Sequence, residues 1–262
     1  MTMSVFLQVL IVLFAYFLIF YLIAQFLRNN SIVDIGWGLG FVVVAVYTFL
    51  VSGNYDLTSI LTTVFVTIWG MRLFYHIIRR NWKKPEDYRY VNMRKNWEGK
   101  IPALQAFIRV FMLQMTIMYV VSLPVIVSNS YSNIGINVFT IVGALIWIIG
   151  FLFEVSGDYQ LKKFKKNPDN KGRVMTDGIW KYTRHPNYFG ETAMWTGLFI
   201  MSIPKGLSYI TFISPLTMTF VLYFISTKVL EKRYEGNAEY QEYSKHTNKF
   251  FPWFPRNRRE DI

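Results

Sequence analysis

Residues 3–27 read Met-Ser-Val-Phe-Leu-Gln-Val-Leu-Ile-Val-Leu-Phe-Ala-Tyr-Phe-Leu-Ile-Phe-Tyr-Leu-Ile-Ala-Gln-Phe-Leu, and this run carries no charged side chain. A helix of about 20 apolar residues is long enough to cross the hydrocarbon core of a bilayer. Six further apolar segments follow, at about 35–52, 57–78, 107–128, 136–157, 188–203 and 207–227. We therefore predict an all-α polytopic membrane bundle of seven transmembrane helices.

The composition of the 262-residue chain agrees with this class, since 53% of its residues are hydrophobic, 18% aromatic and only 17% charged. So many aromatic and branched apolar residues exclude a disordered chain. The chain has no cysteine, which excludes a disulfide scaffold, a thiolate zinc site and an iron–sulfur cluster. Its three histidines, His76, His185 and His246, are too scattered to indicate a metal site, and we expect no metal.

Basic residues alternate between the loops that the seven spans define. Loops one, three and five and the C-terminal tail hold 26 of the 28 lysines and arginines, whereas loop six holds only Lys205 and Arg72 lies inside a span. The assignments to loop three include Lys83, Lys100 and Arg109, and those to the tail include Arg258 and Arg259. Because cytoplasmic loops retain positive charge, we predict a multi-pass cell-membrane protein with its N-terminus outside and its C-terminus in the cytoplasm. The basic face would also attract anionic membrane lipids.

The chain shows no internal repeat, low-complexity tract or flexible linker, so we predict a single membrane domain over residues 1–262. Gly36 and Gly40 form a Gly-x-x-x-Gly pair in the second predicted span, which is typical of close helix packing. The same glycines lack the βαβ context of a dinucleotide-binding loop.

Polar groups at membrane depth are the first candidates for function, because they are costly in hydrocarbon and usually face a cavity or a partner. They occur at the start of span two (Asp34), inside span three (Arg72), at the end of span five (Glu154 and Asp158) and at the start of span six (Asn187 and Glu191). On a helix, Glu154, Asp158, Lys162 and Lys165 or Lys166 share one face. This stripe suits a ligand with a hydrogen-bonding head and an anionic tail, or else forms a salt-bridge ladder with snorkelling lysines.

The densest polar segment near a predicted membrane edge is Gly-Ile-Trp-Lys-Tyr-Thr-Arg-His-Pro-Asn-Tyr-Phe-Gly-Glu at 178–191. Pro186 suits the first turn of a helix, whose free N–H groups and positive end favour an anion beside Lys181 and Arg184. Asn187 and Glu191 are four residues apart and share a helical face, as a two-pronged hydrogen-bonding clamp requires.

This segment resembles the C-terminal signature of the steroid 5-alpha-reductase superfamily, in particular that of its bacterial members. The shared features are Asp-Tyr at 158–159, the run Arg-His-Pro-Asn-Tyr-Phe-Gly-Glu at 184–191, and Leu-Glu-Lys-Arg-Tyr at 230–234 leading to Phe-Pro at 251–252. The signature occupies residues 150–255. The N-terminal half is similar mainly in its spans, with local support from Asp-Ile-Gly-Trp-Gly at 34–38 and Trp-Gly-Met-Arg-Leu at 69–73.

The resemblance implies seven spans around a cavity that holds NADPH from the cytosolic side, while a lipid-like enone enters from the bilayer. Asn187 and Glu191 would hold the nicotinamide carboxamide, as an amide and a carboxylate can. The further cofactor positions that the resemblance implies are Arg72, Glu154, Asp158, Lys162, Lys165, Tyr182, Arg184, Lys228, Lys232 and Arg233. The steroid enzymes polarise the substrate ketone with a glutamate and a tyrosine on early spans. Here Trp69 takes the place of the tyrosine and Asp34 is the nearest carboxylate, so Asp34 is the candidate catalytic residue.

We therefore expect a monomeric, NADPH-dependent oxidoreductase acting on CH–CH groups, which reduces a double bond conjugated to a carbonyl in a steroid- or isoprenoid-like lipid. An alternative is an S-adenosylmethionine-dependent methyltransferase of a lipidic substrate, because isoprenylcysteine carboxyl methyltransferases use a similar Arg-His-Pro-x-Tyr helix start. A second alternative is a non-enzymatic lipid-binding or transport protein. Nucleic acid is not an expected partner, because the formal charge of +12 is explained by one basic membrane face.

Overall fold

A computed structural model describes residues 4–81, 84–97, 101–131 and 137–256. Lys83, Lys100, Arg258 and Arg259 of the predicted basic loops and tail lie outside these ranges. The described residues form helices and no strand. The helices are α1 (Val5–Phe26), α2 (Ile32–Ser52), α3 (Leu57–Asn81), α4 (Tyr88–Lys95), α5 (Pro102–Val121), α6 (Leu123–Ser130), α7 (Val138–Lys166), α8 (Pro186–Ser202), α9 (Tyr209–Tyr234, with a break at Phe212) and α10 (Ala238–His246).

Six of the described helices, α1, α2, α3, α5, α7 and α9, are long and apolar enough to cross a membrane. The all-α membrane class is therefore confirmed. Helix α8, which contains most of the predicted sixth span, has 17 residues and is about 25 Å long at 1.5 Å per residue. It is slightly shorter than an average hydrocarbon core of about 30 Å, and the count of seven spans stays a prediction.

Two helix boundaries differ from the predicted spans. Helix α5 begins at Pro102 and includes a π-helical turn, Phe107–Met112, so Arg109 lies on this helix and its assignment to loop three was wrong. The proline starts the helix before the apolar run begins, because its fixed φ suits a first turn. Helix α7 continues to Lys166, which places Lys162 on the same helix as Glu154, as predicted.

The chain divides into two compact units. The first comprises Met1–Ile141 and Met201–Ser214, and the second comprises Val142–Ile200 and Pro215–Ile262. The single domain over residues 1–262 stays a prediction.

Glycines set the helix packing of the first unit. A Cβ placed on Gly38 would lie 2.5 Å from the carbonyl oxygen of Gly70, and a Cβ on Gly70 would lie 2.6 Å from that of Gly38. The backbones of α2 and α3 are therefore in contact. Gly36 faces a side chain of α1, and Gly40 faces side chains of α1 and α5, which confirms that this glycine pair packs helices.

Loops two, four and six meet at one end of the first unit. Lys205 is buried, with 2% of its side chain exposed, and it pairs with Asp56, of which 4% is exposed. The Lys205 ammonium also donates a hydrogen bond of 2.9 Å to the carbonyl of Tyr131. Burial alone would favour the neutral acid, but the hydrogen bonds that it accepts, above all from Lys205, lower the pKa of Asp56. The three predicted outer loops thus lie together, as an alternating topology of the first unit requires.

Candidate cofactor site

The second unit is built on a close contact between α7 and α8. Glycines occur at every seventh residue on the facing sides, at Gly143, Gly150 and Gly157 of α7 and at Gly190 and Gly197 of α8. A Cβ on Gly150 would lie 2.5 Å from the carbonyl oxygen of Gly190, and a Cβ on Gly197 would lie 2.5 Å from that of Gly143. A side chain at Gly150, Gly190 or Gly197 would force the two helices apart.

This contact brings the polar end of α7 against the first turns of α8. Glu154 is buried, with 4% exposed, and its Cβ lies 3.1 Å from the position that a Cβ on Gly190 would take. One turn further along α7, a Cβ on Gly157 would lie 3.4 Å from the backbone nitrogen of Asn187. The α7 segment that ends at Asp158 and the start of α8 at Asn187 are therefore neighbours.

The other predicted cofactor positions differ in exposure. Glu191 is partly buried in the second turn of α8, and the Lys181 ammonium lies 4.9 Å from the ring centre of Tyr182. The predicted cofactor positions that are exposed in the second unit are Lys162, Lys165, Lys228, Lys232 and Arg233. Arg72 belongs to α3 of the first unit. The roles of these residues toward a cofactor stay predictions.

The loop that precedes α8 is held from two sides. The Trp180 indole donates a hydrogen bond of 3.2 Å to the carbonyl of Gly157 on α7. On the other side, the Thr183 hydroxyl donates to the carbonyl of Phe250 at 2.7 Å, and the buried Tyr243 hydroxyl donates to the carbonyl of Trp180. Burial raises the pKa of Tyr243, so this phenol remains a donor. The C-terminal tail and α7 thus fix the start of α8 between them.

A polar cluster that the sequence reasoning missed lies next to this loop. Oε1 of Glu231 is 3.1 Å from His185 Nε2 and 3.4 Å from Arg184 Nη2. The Tyr240 hydroxyl lies near Glu231, whose charge adds to burial in raising the pKa of this phenol. The tail pattern at 230–234 contained Glu231, but spacing alone did not indicate its partners.

Arg184 is the unusual member of this cluster. Only 13% of its side chain is exposed, and its guanidinium carbon lies 5.9 Å from the ring centre of Tyr240. Its Nε is buried and has no hydrogen-bond partner among the residues that the structure describes. A buried charged N–H without an acceptor is costly. Arg184 therefore keeps a donor that no described residue satisfies.

Burial also decides the charge of His185. It lowers the pKa of this imidazole, and the nearby Arg184 and Lys249 act in the same direction, although Glu231 opposes them. Neutral His185 can donate from Nε2 to the carboxylate without adding a positive charge. The charge of Glu231 is then balanced mainly by Arg184.

Asp34, the predicted catalytic residue, lies in a different cluster in the first unit. Its Oδ1 accepts from the Tyr90 hydroxyl at 2.6 Å, and its Oδ2 accepts from Arg89 at 2.7 Å. Gln114 donates in turn to the Tyr90 oxygen at 3.3 Å. Burial raises the pKa of Tyr90, which keeps this phenol protonated. The cluster fastens α4 to α2 and α5, and the catalytic role of Asp34 stays a prediction.

The chain is similar to enzymes of two chemical classes. It is 25% identical over 112 residues to the 3-oxo-5-alpha-steroid 4-dehydrogenase 1 of Bos taurus, covering 42% of this chain and 40% of that protein. It is 38% identical over 66 residues to the probable O-methyltransferase ustE of Ustilaginoidea virens, covering 25% of this chain and 23% of that protein. The matches thus span about two fifths and one quarter of the lengths of these relatives.

A longer but weaker match joins the chain to an uncharacterised protein of Schizosaccharomyces pombe, with 21% identity over 251 residues, 86% of this chain and 73% of that protein. The similarity to the steroid dehydrogenase confirms the resemblance that the motifs indicated. Residues 20–247 match the model of a family described as "Protein of unknown function (DUF1295)". This match takes in both the helix start at Arg184–Glu191 and the cluster around Glu231, and the chain belongs to this family.

Proposed function

We propose that the protein is a membrane reductase that uses NADPH to reduce a carbon–carbon double bond conjugated to a carbonyl group in a lipid-like substrate. The observation that carries this proposal is the contact of α7 with α8, which makes the Glu154–Asp158 segment a neighbour of Asn187. The similarity to a 3-oxo-5-alpha-steroid 4-dehydrogenase supports the reaction class. The six apolar helices support a substrate that is reached from the bilayer.

The residues of the second unit fit a phosphorylated dinucleotide. A carboxamide needs an acceptor and a donor, and Glu191 and Asn187 offer a carboxylate and an amide on one face of α8. Phosphates need cations or free N–H groups, and Arg184 holds a buried donor without a partner among the described residues. Exposed Lys162 at the end of α7 adds a positive charge.

When bound, NADPH would supply the hydride that reduces the β-carbon of the enone. Asn187 and Glu191 would orient the nicotinamide ring, and Arg184 would bind a phosphate. The apolar helices would hold the lipid and keep water out. We propose Asp34 as the group that acts on the substrate carbonyl, with Tyr90 and Arg89 fixing its position.

We also propose the membrane arrangement that the basic residues predict. Helix α8 would be the sixth of seven spans in a monomer of the cell membrane. The N-terminus would lie outside and the C-terminus in the cytoplasm, so that NADPH reaches the protein from the cytosolic side. Membrane lipids and a lipid-like substrate would be its partners, and nucleic acid would not.

The test is NADPH titration of detergent-purified protein. Glu191→Gln and Asn187→Ala are each expected to weaken NADPH binding about tenfold, because each removes a hydrogen bond to the carboxamide. Thermal unfolding should change little. Exposed Glu235 offers the matched control Glu235→Gln, which should leave the affinity unchanged. Equal affinities for all four proteins would contradict the assigned clamp.

A methyltransferase is the second candidate, favoured by the 38% identity over 66 residues to a probable O-methyltransferase. S-adenosylmethionine carries no phosphate, so the carboxylate of its methionine part would be its only anionic group for the spare Arg184 donor. The small molecule that copurifies from membranes separates the candidates. NADPH supports the reductase, S-adenosylhomocysteine supports the methyltransferase, and lipid alone supports a non-enzymatic lipid-binding protein.

A further inference from the structure

The backbone of Arg184 is fixed, but its side chain depends on its neighbours. Its backbone N–H donates a hydrogen bond of 2.9 Å to the carbonyl of Asn248 in the C-terminal tail. A guanidinium is planar and carries five N–H donors in a rigid fork, so its orientation decides which acceptors it can meet. Glu231 and the ring of Tyr240 both contact this fork. They therefore set the direction of its remaining donors.

Three donors surround Glu231, fewer than the roughly four hydrogen bonds that a carboxylate can accept. One of its oxygens is 3.1 Å from His185 Nε2 and 3.4 Å from Arg184 Nη2, and the Tyr240 hydroxyl lies near the carboxylate. A charge-assisted hydrogen bond is ordinarily about 2.7–2.9 Å long. The longer distance to Arg184 indicates attraction that orients the guanidinium without consuming its capacity. The guanidinium can therefore bind a second anion while it stays beside Glu231.

We infer that Glu231 is a positioning residue that acts through Arg184, holding the guanidinium so that its remaining donors meet an anionic oxygen of the ligand. His185 and Tyr240 hold the carboxylate in turn. This inference rests on the proposed function, under which the anionic oxygen belongs to a phosphate of NADPH. It assigns a role to Glu231, Tyr240 and His185, none of which was among the predicted cofactor contacts.

A double-mutant cycle on the full chain tests this inference. Arg184→Gln removes the cation, and Glu231→Gln removes the charge that orients it while it keeps an acceptor for His185. We expect Arg184→Gln to weaken NADPH binding about tenfold and Glu231→Gln about fivefold. In the Arg184→Gln background, Glu231→Gln should have no further effect, because two residues that act as a unit are not additive. Independent, additive losses would overturn the inference.

A second variant and a control complete the experiment. Tyr240→Phe retains the ring beside Arg184 but removes the hydroxyl near Glu231, and we expect a loss of about twofold that also vanishes without Arg184. This variant carries the test if Glu231→Gln fails to fold. Glu242→Gln is the matched control, since Glu242 also pairs with a histidine, His246, at 3.0 Å on the surface of the same unit. It should leave NADPH affinity unchanged.

The outcomes separate the inference from the proposed function. If the wild-type protein does not bind NADPH, both are overturned. If the wild-type protein binds NADPH and the cycle is additive, Glu231 is merely structural and only the inference is overturned. A loss in the Glu242→Gln control as large as that of Glu231→Gln would also overturn it, because any carboxylate would then have the same effect.

Discussion

Two clusters of this protein are built from the same groups, an arginine and a tyrosine on one carboxylate, yet they differ in how fully their donors are used. At Asp34, each carboxylate oxygen has its own partner, Tyr90 at 2.6 Å and Arg89 at 2.7 Å. At Glu231, the distance to Arg184 is 3.4 Å, and Arg184 Nε has no partner among the described residues. The first cluster is saturated, whereas the second retains a donor.

The two arginines also differ in how much of their side chains water can reach. In Arg89, 42% of the side chain is exposed, so water can satisfy any N–H that the protein does not. In Arg184, only 13% is exposed, so water reaches little of it. The residue types alone would suggest equal roles for the two clusters. Burial and saturation instead distinguish them, because the Asp34 cluster fastens helices together with its donors used, whereas the Glu231 cluster keeps a buried donor for the proposed ligand.

The largest loss of stability is expected from a substitution that separates α7 from α8 in the second unit. Gly150→Leu would place a side chain where even a Cβ lies 2.5 Å from the carbonyl oxygen of Gly190. We expect a loss of about 3 kcal/mol or more in stability, because the overpacked contact is with backbone that cannot move aside. Thermal unfolding and gel filtration in detergent measure the effect. Ile149→Leu, at an exposed neighbour, is the control and should behave as wild type.

The next largest effect is expected at the saturated cluster. Asp34→Ala would leave the buried Tyr90 hydroxyl and Arg89 without their acceptor, which costs about 2 kcal/mol of stability. NADPH affinity, corrected for the folded fraction, should stay within about twofold of wild type. Exposed Asp169 provides the control Asp169→Ala. An unchanged melting temperature would contradict this structural role, and unchanged turnover of the folded protein would contradict the proposed catalytic role of Asp34.

The fold was predictable from the sequence where it depends on the length of apolar runs, and less so where tertiary contacts decide. The apolar runs did not predict the short helices α4 and α10, because both have polar sequences. Hydrogen bonds such as those of Tyr90 and Tyr243 hold these two helices in place. The early start of α5 depends on Pro102, which stands outside the apolar run. Hydropathy carries no signal for either feature.

The candidate site was predictable in part. The shared face of α7 and the start of α8 followed from spacing, because both patterns are local. The glycines at every seventh residue were also visible in the sequence and could have indicated the contact between the two helices. The cluster of Glu231 and His185 could not be predicted from spacing, since 46 residues separate them and only the folded chain brings them together.

A smaller effect is expected from pH. Burial lowers the folded-state pKa of His185 below the ordinary value of about 6.5, so near that pH the unfolded chain binds a proton that the folded chain does not. The stability from this group is complete above about pH 6.5 and is lost as the pH falls toward the folded-state pKa. Melting temperatures from pH 8 to pH 5 should therefore fall more steeply for wild type than for His185→Gln, which keeps a donor to Glu231. Parallel curves would contradict a neutral, buried His185.

The smallest change in NADPH affinity is expected at an exposed lysine, which can be compared with the buried Arg184. Lys162 lies four residues after Asp158 and shares its face of α7, whereas its equally exposed neighbour Lys163 is rotated away by about 100°. We expect Lys162→Gln to weaken NADPH binding about twofold to threefold at low salt and hardly at all at 0.5 M, because salt screens exposed charges. Lys163→Gln should have no effect at either concentration. The loss in Arg184→Gln should persist in high salt, since a buried pair is screened much less. Equal losses for the two lysine variants would mean that a general basic surface, and not the face shared with Asp158, attracts the cofactor.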